Sequence, residues 1–439
     1  MSKHRPKTRR HNRIVRSPSP RVEEIEAQLK ELLSPGLMSW RIGEWIKGGR
    51  QRVLTLPVIA TVMLGVVLRQ AMGFAEFLRL MAQERVLWLE DTLGVSESAL
   101  SKRLQKIPAL FFERMLTEVC QRLHEVLLGM MPSEWLPLVG RFSKVYIMDG
   151  TTLEEISKRL KGQRGQSNRL LGGKFLMLIN FWTRLPVKWV WTEKARANDK
   201  SMLYDVEGWL ERGMLIVMDM GFFSFKLMDE LTEKGVWFVM RLRAGTSYEV
   251  VKAIESGEYV REYIIKMGLY RSNPCKNLVR LVEFRYGGQW YSYITNVLEH
   301  ESLRAEEVVW IYWRRWRIED MFLSVKQVLG AWTLLGSHEN VVQIQWMATL
   351  IIYAVIERNC WEVSRGLNIP PEQVSREMVF RALYHYGTAV VQNGYSESFT
   401  RFLVERKEIL GIVKKVRKKK PALYLLMNPD AYVGSLARA

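Results

Sequence analysis

The chain has few cysteines and histidines, and basic residues outnumber acidic ones. Its three cysteines, Cys120, Cys275 and Cys360, are far apart and form no CxxC pair, which argues against a disulfide framework or a zinc site and favours a reducing compartment. The six histidines are dispersed, so each is better explained as a surface or core residue than as a metal ligand. The sequence also lacks a glycine-rich phosphate loop and any arrangement typical of a serine or cysteine nucleophile.

Long hydrophobic runs are also missing. The longest, Pro57 to Leu68, is too short to span a bilayer and predicts a buried helix. The basic amino terminus is followed by Ser17 to Pro20 and not by an apolar stretch, so no signal peptide is expected. No amphipathic basic helix or lipidation motif stands out. We therefore expect no membrane partner.

Basic charge is in large excess. The chain of 439 residues has 65 Lys and Arg against 46 Asp and Glu, a net charge of +19, which predicts a polyanionic partner. Residues 1–21 contain eight basic residues and no acid, and predict a disordered arm that binds DNA non-specifically or only keeps the protein soluble. The cluster that begins at Lys414 is expected to contact DNA phosphates, with a solvated tail as the alternative.

One stretch, Ile311 to Gly330, combines helical spacing with an unusual set of polar residues. Tyr312, Arg315, Glu319 and Lys326 lie at i, i+3, i+7 and i+14, which predicts one stripe on a single helix. Most charged stripes are solvated, salt-bridged faces. This one is embedded in large apolar residues, so we expect it to face a cleft, where carboxylate, ammonium and guanidinium groups suit a metal ion and phosphates.

Two more carboxylates follow strand-like apolar segments upstream. Asp149 follows Lys144 to Met148, and Asp219 follows Met214 to Met218. A single Asp before a nearby glycine often only forms a turn, but two such sites upstream of Glu319 predict a shared function. The order strand, strand, strand, helix, strand, helix, strand predicts a ribonuclease-H-like α/β core. Three carboxylates around a cleft would hold two Mg²⁺ ions, for which Mn²⁺ may substitute.

The pattern Tyr-x2-Arg-x3-Glu-x6-Lys resembles the signature of the insertion-sequence-four family of bacterial DDE transposases. The resemblance implies that Asp149, Asp219 and Glu319 are the catalytic, metal-binding residues. It also implies that the three other signature residues, Tyr312, Arg315 and Lys326, contact phosphates of the transposon end. The chain departs from the family in having Met220 where an arginine is usual. In relatives an aromatic residue stacks on a flipped base, and Trp290 is the candidate for that role here.

The rest of the chain predicts the domain organisation. Residues 89–104 resemble a helix-turn-helix in which Ser96 caps the second helix and Lys102 and Arg103 face DNA, with an ordinary helical hairpin as an equal alternative. Residues 246–299 have a β-like pattern. The predicted parts are a disordered basic arm at 1–21, a helical DNA-binding domain at 22–138, a ribonuclease-H-like core at 139–245 and 300–335, a β insertion domain at 246–299, and a helical region with a basic cluster at 336–439.

These expectations combine into a function. The resemblance implies a cut-and-paste transposase that binds terminal inverted repeats and target DNA and catalyses metal-dependent strand cleavage and transfer. It further implies a hairpin intermediate, a homodimeric synaptic complex and a bacterial, nucleoid-associated protein of the cytoplasm. Two alternatives stay open, namely a ribonuclease-H-like nuclease or resolvase and a catalytically inactive, transposase-derived DNA-binding protein.

Overall fold

The structure, a computed structural model, describes most of the chain. The described residues are 23–39, 53–71, 73–89, 94–132, 135, 138–152, 173–194, 197–331, 334–336 and 338–414. The predicted basic arm at 1–21 and the basic cluster beyond Lys414 lie outside them. So do residues 90–93 of the predicted helix-turn-helix, which stays a prediction.

Helices occupy the described residues before the sheet. Ser96 caps the fourth of them as predicted, since its Oγ accepts a hydrogen bond from Ala99 N at 3.2 Å. Thr55 caps the second in the same way, with Pro57 in its first turn. The helices are α1 (Glu23–Ser39), α2 (Leu56–Leu68), α3 (Phe74–Met81), α4 (Glu97–Leu104) and α5 (Leu110–Leu128).

A mixed nine-stranded sheet forms the centre of the protein, in agreement with the predicted α/β class. Its strand order is β3-β2-β1-β4-β5-β9-β8-β7-β6. The pairs β1–β4 and β4–β5 are parallel and the other pairs are antiparallel. The strands are β1 (Lys144–Thr152), β2 (Lys174–Asn180), β3 (Pro186–Thr192), β4 (Met214–Met218), β5 (Trp237–Arg241), β6 (Tyr248–Ser256), β7 (Val260–Met267), β8 (Val279–Tyr286) and β9 (Gln289–Thr295), with α6 (Asp199–Val206) and α7 (Phe225–Glu233) on either side of β4 in sequence.

The four strands within residues 246–299 extend this same sheet. β9 pairs with β5 from Val239↔Thr295 to Arg241↔Tyr293, and the hairpins β8–β9, β7–β8 and β6–β7 follow outwards. Without β9, β5 would present unpaired backbone groups at the edge of the sheet. The region predicted as an insertion is therefore joined to the predicted core by a continuous hydrogen-bonded ladder.

The described residues after β9 are largely helical. The helices are α8 (Ala305–Trp313), α9 (Trp316–Leu323), α10 (Glu339–Leu367), α11 (Arg376–Asn393) and α12 (Phe399–Glu405). The long helix α10 has the length and apolar composition of a membrane span, but most of it is buried inside the protein. It packs against α2 and α5, so helices from both ends of the described chain share one hydrophobic core.

The two faces of the sheet are buried against different helices. Because side chains alternate along a strand, Ile147, Val217 and Val239 point to one side and join the core that contains α10. Met148 and Met218 point to the other side and pack with α6 and α7. We call these sides the α10 face and the α7 face.

The prediction of one helix over residues 311–330 is wrong. α8 ends at Trp313, α9 begins at Trp316, and residues Ser324–Val328 form a π-helical turn. At the break, Arg314 N bonds to both Trp310 O and Ile311 O, at 3.3 and 3.1 Å, a tightening that ends many helices. Helical spacing in the sequence could not reveal this break, because the contacts of the arginines at the break are made with distant parts of the chain.

Candidate active site

The parallel pairing of β1 with β4 brings two acids together. Met148 is the register partner of Met218, so the residues that follow them, Asp149 and Asp219, are neighbours at the same edge of the sheet. Neighbouring strands lie about 4.8 Å apart. Because Met148 and Met218 point to the α7 face and side chains alternate along a strand, Asp149 and Asp219 point to the α10 face.

Each of these acids also has a local hydrogen bond. Asp149 Oδ1 accepts from Gly150 N at 2.8 Å, and Asp219 Oδ1 accepts from Gly221 N at 2.7 Å. The second bond starts a single 3-10 turn, Met220–Phe222. One oxygen of each carboxylate is therefore used in a local turn, as expected for an Asp close to a glycine.

Arg315 joins Glu319 to this pair. Its Nη1 lies 3.1 Å from Asp149 Oδ2, and its Nη2 lies 2.8 Å from Glu319 Oε1. The Arg315 side chain is only 8% exposed. One buried guanidinium thus links the acid within β1 with the acid on α9, which are 170 residues apart in the sequence.

The electrostatics of the site are dominated by Asp149. Burial raises the pKa of its carboxyl to about 7, with Asp219 and Glu319 adding to the rise and Arg315 opposing it. Burial by itself would lower the pKa of Arg315, but the negative charge of Asp149 outweighs it, with Tyr312 and Glu319 contributing, and raises that pKa above its ordinary value. The cluster therefore contains more negative charge than one arginine can balance.

The two remaining signature residues reach the same region despite the broken helix. Tyr312 packs on Tyr293 with ring centroids 5.0 Å apart, and the Arg315 guanidinium lies 5.9 Å from the centroid of the Tyr312 ring. Lys326 lies in the π-helical turn, and its Nζ donates to Thr152 O, the last residue of β1, at 2.8 Å. The break and the π turn together replace the single stripe that the sequence predicted.

Two residues of the site were not singled out from the sequence. Arg241 ends β5 and lies beside Asp219, since Val217 pairs with Val239 two residues earlier. Its guanidinium lies 5.6 Å from the ring centroid of Tyr291, on β9. Both side chains point to the α10 face, as alternation from Val239 requires. An arginine at the carboxyl end of a predicted strand was the signal available in the sequence.

Trp290 is not brought to the carboxylates. The register of β9 places Trp290 on the α7 face, whereas the next residue, Tyr291, lies on the α10 face. The Arg261 guanidinium lies 4.2 Å from the ring centroid of Trp290. Lys102 and Arg103 lie on α4, where Lys102 is exposed while Nε and Nη2 of Arg103 are buried. The carboxyl end of α4 contacts α10 through Gln105 O and Asn340 Nδ2, 3.0 Å apart.

The donor set fits a hard divalent cation, although the groups are not arranged for coordination. Within the described residues, no group of three or more His, Cys, Asp or Glu side chains could hold a metal ion. Arg315 lies between two of the acids and supplies the positive charge there. Carboxylate oxygens are the ligands that Mg²⁺ and Mn²⁺ prefer. If Arg315 withdrew, Asp149, Asp219 and Glu319 would be the residues to hold such ions.

Comparison with known proteins is consistent with this geometry. Residues 140–355 match the family described as "Transposase DDE domain", a range that includes all three acids. Over 148 residues the chain is 28% identical to "Probable transposase for insertion sequence element IS5377" of Geobacillus stearothermophilus, covering 32% of this chain and 38% of that protein. Over 155 residues it is 24% identical to "Putative transposase y4zB" of Sinorhizobium fredii (strain NBRC 101917 / NGR234), covering 34% and 43%.

The extent of these matches limits what they establish. The chain spans less than half the length of either curated relative. A solved structure, "Cryo-EM structure of piggyBac transposase synaptic complex with hairpin DNA (SNHP)", aligns with 91% of this chain and 83% of its own, at 10% identity and a TM-score of 0.39. That score is too low to support further argument. The similarity to the transposase DDE family is thus confined to residues 140–355, just under half of the 439 residues of the chain.

Proposed function

We propose that this protein is a cut-and-paste DNA transposase of the insertion-sequence-four type, with Asp149, Asp219 and Glu319 as its catalytic carboxylates. The observation that carries the proposal is the meeting of these acids at one edge of the sheet, two in strand register and the third held by Arg315. The strand order β3-β2-β1-β4-β5, with β2 antiparallel to β1, supports a ribonuclease-H-like core.

The proposed reaction depends on two divalent ions. When bound, the ions would activate water or a 3′-hydroxyl and stabilise the leaving oxygen. Asp149 and Asp219, side by side on parallel strands, provide oxygens from the sheet, and Glu319 provides the third carboxylate from α9. The Asp149 and Arg315 side chains are 15% and 8% exposed, which limits competing solvent on that side of the reacting phosphate.

Cations and aromatic rings around the acids would hold the DNA backbone. Arg315 contacts two of the carboxylates, and it would transfer to a phosphate when metal ions enter. Lys326 and Tyr312 flank it, and Arg241 extends the positive surface on the other side of Asp219. Charge-assisted contacts of this kind position a strand without reading its sequence.

Recognition of the DNA ends is assigned to other parts of the chain. We propose that α4, with Lys102 and Arg103, contacts the terminal inverted repeats, and that Tyr291 is a better placed stacking residue than Trp290. By resemblance, cleavage proceeds through a hairpin intermediate in a homodimer, on double-stranded DNA in the bacterial cytoplasm. The net charge of +19 supports a DNA partner.

A strand-cleavage assay tests the proposal. The substrate is the DNA that flanks the gene, with Mg²⁺ or Mn²⁺, and the variant is Glu319→Gln. Glu377→Gln is the matched control, because Glu377 is half exposed and pairs only on the surface, with Arg381 at 2.8 Å. We expect wild type and the control to release the ends, and Glu319→Gln to bind them without cleavage. Binding without cleavage by wild type would indicate an inactive DNA-binding protein, and cleavage without preference for the ends would indicate a nuclease.

A further inference from the structure

The break between α8 and α9 sends neighbouring arginines in different directions. Arg315 points to the carboxylate site, whereas Arg314 and Arg317 point to Glu372, which precedes α11. Glu319 lies two residues after Arg317 on the same helix, α9. The position of one catalytic carboxylate is therefore tied to contacts made on the opposite side of the same short segment.

Glu372 is held on a rigid support. It lies in the 3-10 turn Pro371–Gln373, which follows Pro370, and two prolines limit the backbone freedom of this turn. The turn is fastened to the end of the described chain, since Lys414 N donates to Gln373 O at 2.7 Å and Ser375 N donates to Ile412 O at 2.8 Å. Its position does not depend on the arginines alone.

Three arginines form ion pairs with Glu372. Arg317 Nη2 donates to Oε1 in a short hydrogen bond, Arg314 Nε lies 3.2 Å from the same oxygen, and Arg184 Nη2 lies 3.6 Å from Oε2. Burial by itself would raise the pKa of Glu372, but Arg317, Arg314 and Arg184 outweigh it and hold that pKa well below its usual range. Glu372 is thus ionised throughout the physiological range.

Arg314 and Arg317 are packed against aromatic rings. The Arg314 guanidinium lies 3.6 Å from the ring centroid of Trp310, and that of Arg317 lies 4.9 Å from that of Trp135. Arg317 Nη1 also donates to Phe181 O at 2.5 Å. Their side chains are 18% and 4% exposed, so solvent would screen their mutual repulsion poorly if the carboxylate were removed.

We propose that Glu372 is a positioning residue for the carboxylate site, which fixes the turn from which Arg315 and Glu319 project. The inference rests on the proposed function of Glu319. Glu372 itself touches neither metal nor DNA in this proposal. Removal of its charge takes away the carboxylate oxygen that Arg314 and Arg317 share, and the segment between them is the one that sets the direction of α9.

The test compares Glu372→Gln, which preserves shape and removes charge, with the surface control Glu377→Gln. Mn²⁺ binding to the DNA-free protein is measured by electron paramagnetic resonance, alongside the cleavage rate at saturating DNA and the Kd for the transposon ends. Loss of a supporting partner of a metal site typically reduces metal affinity or activity by about 10- to 100-fold. We expect that loss in Mn²⁺ affinity and cleavage for Glu372→Gln, with the Kd for the ends changed by less than about twofold.

Two outcomes would overturn the inference. In the first, Glu372→Gln binds Mn²⁺ and cleaves DNA as well as Glu377→Gln does. In the second, Glu372→Gln has a lower Tm but an unchanged Mn²⁺ affinity, which would indicate a purely structural role. If Glu372→Gln does not fold, Arg314→Gln removes the more exposed partner, and its Mn²⁺ affinity must fall severalfold for the proposal to stand. If wild type binds Mn²⁺ but cuts no DNA, the proposed function fails, while the Mn²⁺ comparison still decides the role of Glu372.

Discussion

Replacement of Asp149 by asparagine should stabilise the metal-free protein at high pH. The folded protein retains a proton on Asp149 up to a pKa of about 7, against an ordinary value of 3.8. Because the pKa is raised by folding, its contribution to stability is complete below pH 3.8 and is lost as the pH rises through 7. Asparagine does not ionise and can still accept a hydrogen bond from Arg315, so the variant avoids this loss.

The size of the effect follows from the difference between the two pKa values. A difference of about three pH units corresponds to about 4 kcal/mol at the upper limit, at roughly 1.4 kcal/mol per unit. Unfolding entropy of about 2.1 cal/mol/K per residue, for 439 residues, converts 1 kcal/mol into roughly 1 °C of Tm. We therefore expect the Tm of Asp149→Asn to exceed that of wild type by up to about 4 °C at pH 8, and by little at pH 4.

Thermal unfolding from pH 4 to pH 8 without divalent ions measures this difference. Asp205→Asn is the matched control, since Asp205 lies exposed on α6. Added Mg²⁺ should raise the Tm of wild type at pH 8 and leave that of Asp149→Asn nearly unchanged. A Tm difference for Asp149→Asn that is independent of pH, or a lower Tm than wild type at pH 8, would refute the reasoning.

Three other contacts around the carboxylates lead to separate predictions. Arg315→Gln should bind Mn²⁺ more tightly without DNA, because Arg315 lies between two of the acids, yet cleave DNA more slowly; weaker Mn²⁺ binding would contradict this. Gly150→Ala should destabilise the protein by about 1–3 kcal/mol, because the added Cβ would lie 2.0 Å from Asp199 Oδ1. The double variant Gly150→Ala/Asp199→Ala should recover part of the lost Tm. An unchanged Tm for Gly150→Ala would count against the crowding. Tyr291→Ala should slow cleavage about tenfold, as loss of a base stack does, and Trp290→Ala less than twofold; the reverse order would restore Trp290 as the stacking residue.

Local pattern was enough to predict much of the framework. Short apolar runs before Asp149 and Asp219 predicted β1 and β4, and the structure has strands there. β4 ends just before Asp219, whereas β1 continues through Asp149 to Thr152. Ser96 predicted the start of α4. These features depend on residues within a few positions of each other, where alternation and capping operate.

Long-range contacts decided what local pattern could not. The signature segment reads as one helix, but Arg315 is drawn to Asp149 and Arg317 to Glu372, and the helix breaks between α8 and α9. The strands of residues 246–299 were predictable as strands, whereas their continuation of the main sheet through β9 was not, because pairing partners 52 to 56 residues apart leave no local signal.

The amino-acid sequence by itself was enough to propose which residues carry the chemistry, because four side-chain types at fixed spacing and two acids after apolar segments are local properties of the chain. Only the tertiary structure decided which of them meet. It placed Asp149 beside Asp219 through parallel register and aligned Arg241 and Tyr291 with them. It turned Trp290 to the opposite face of the same strand. The side of a sheet that a residue faces depends on register, and register is set by the packing of the whole sheet against its helices.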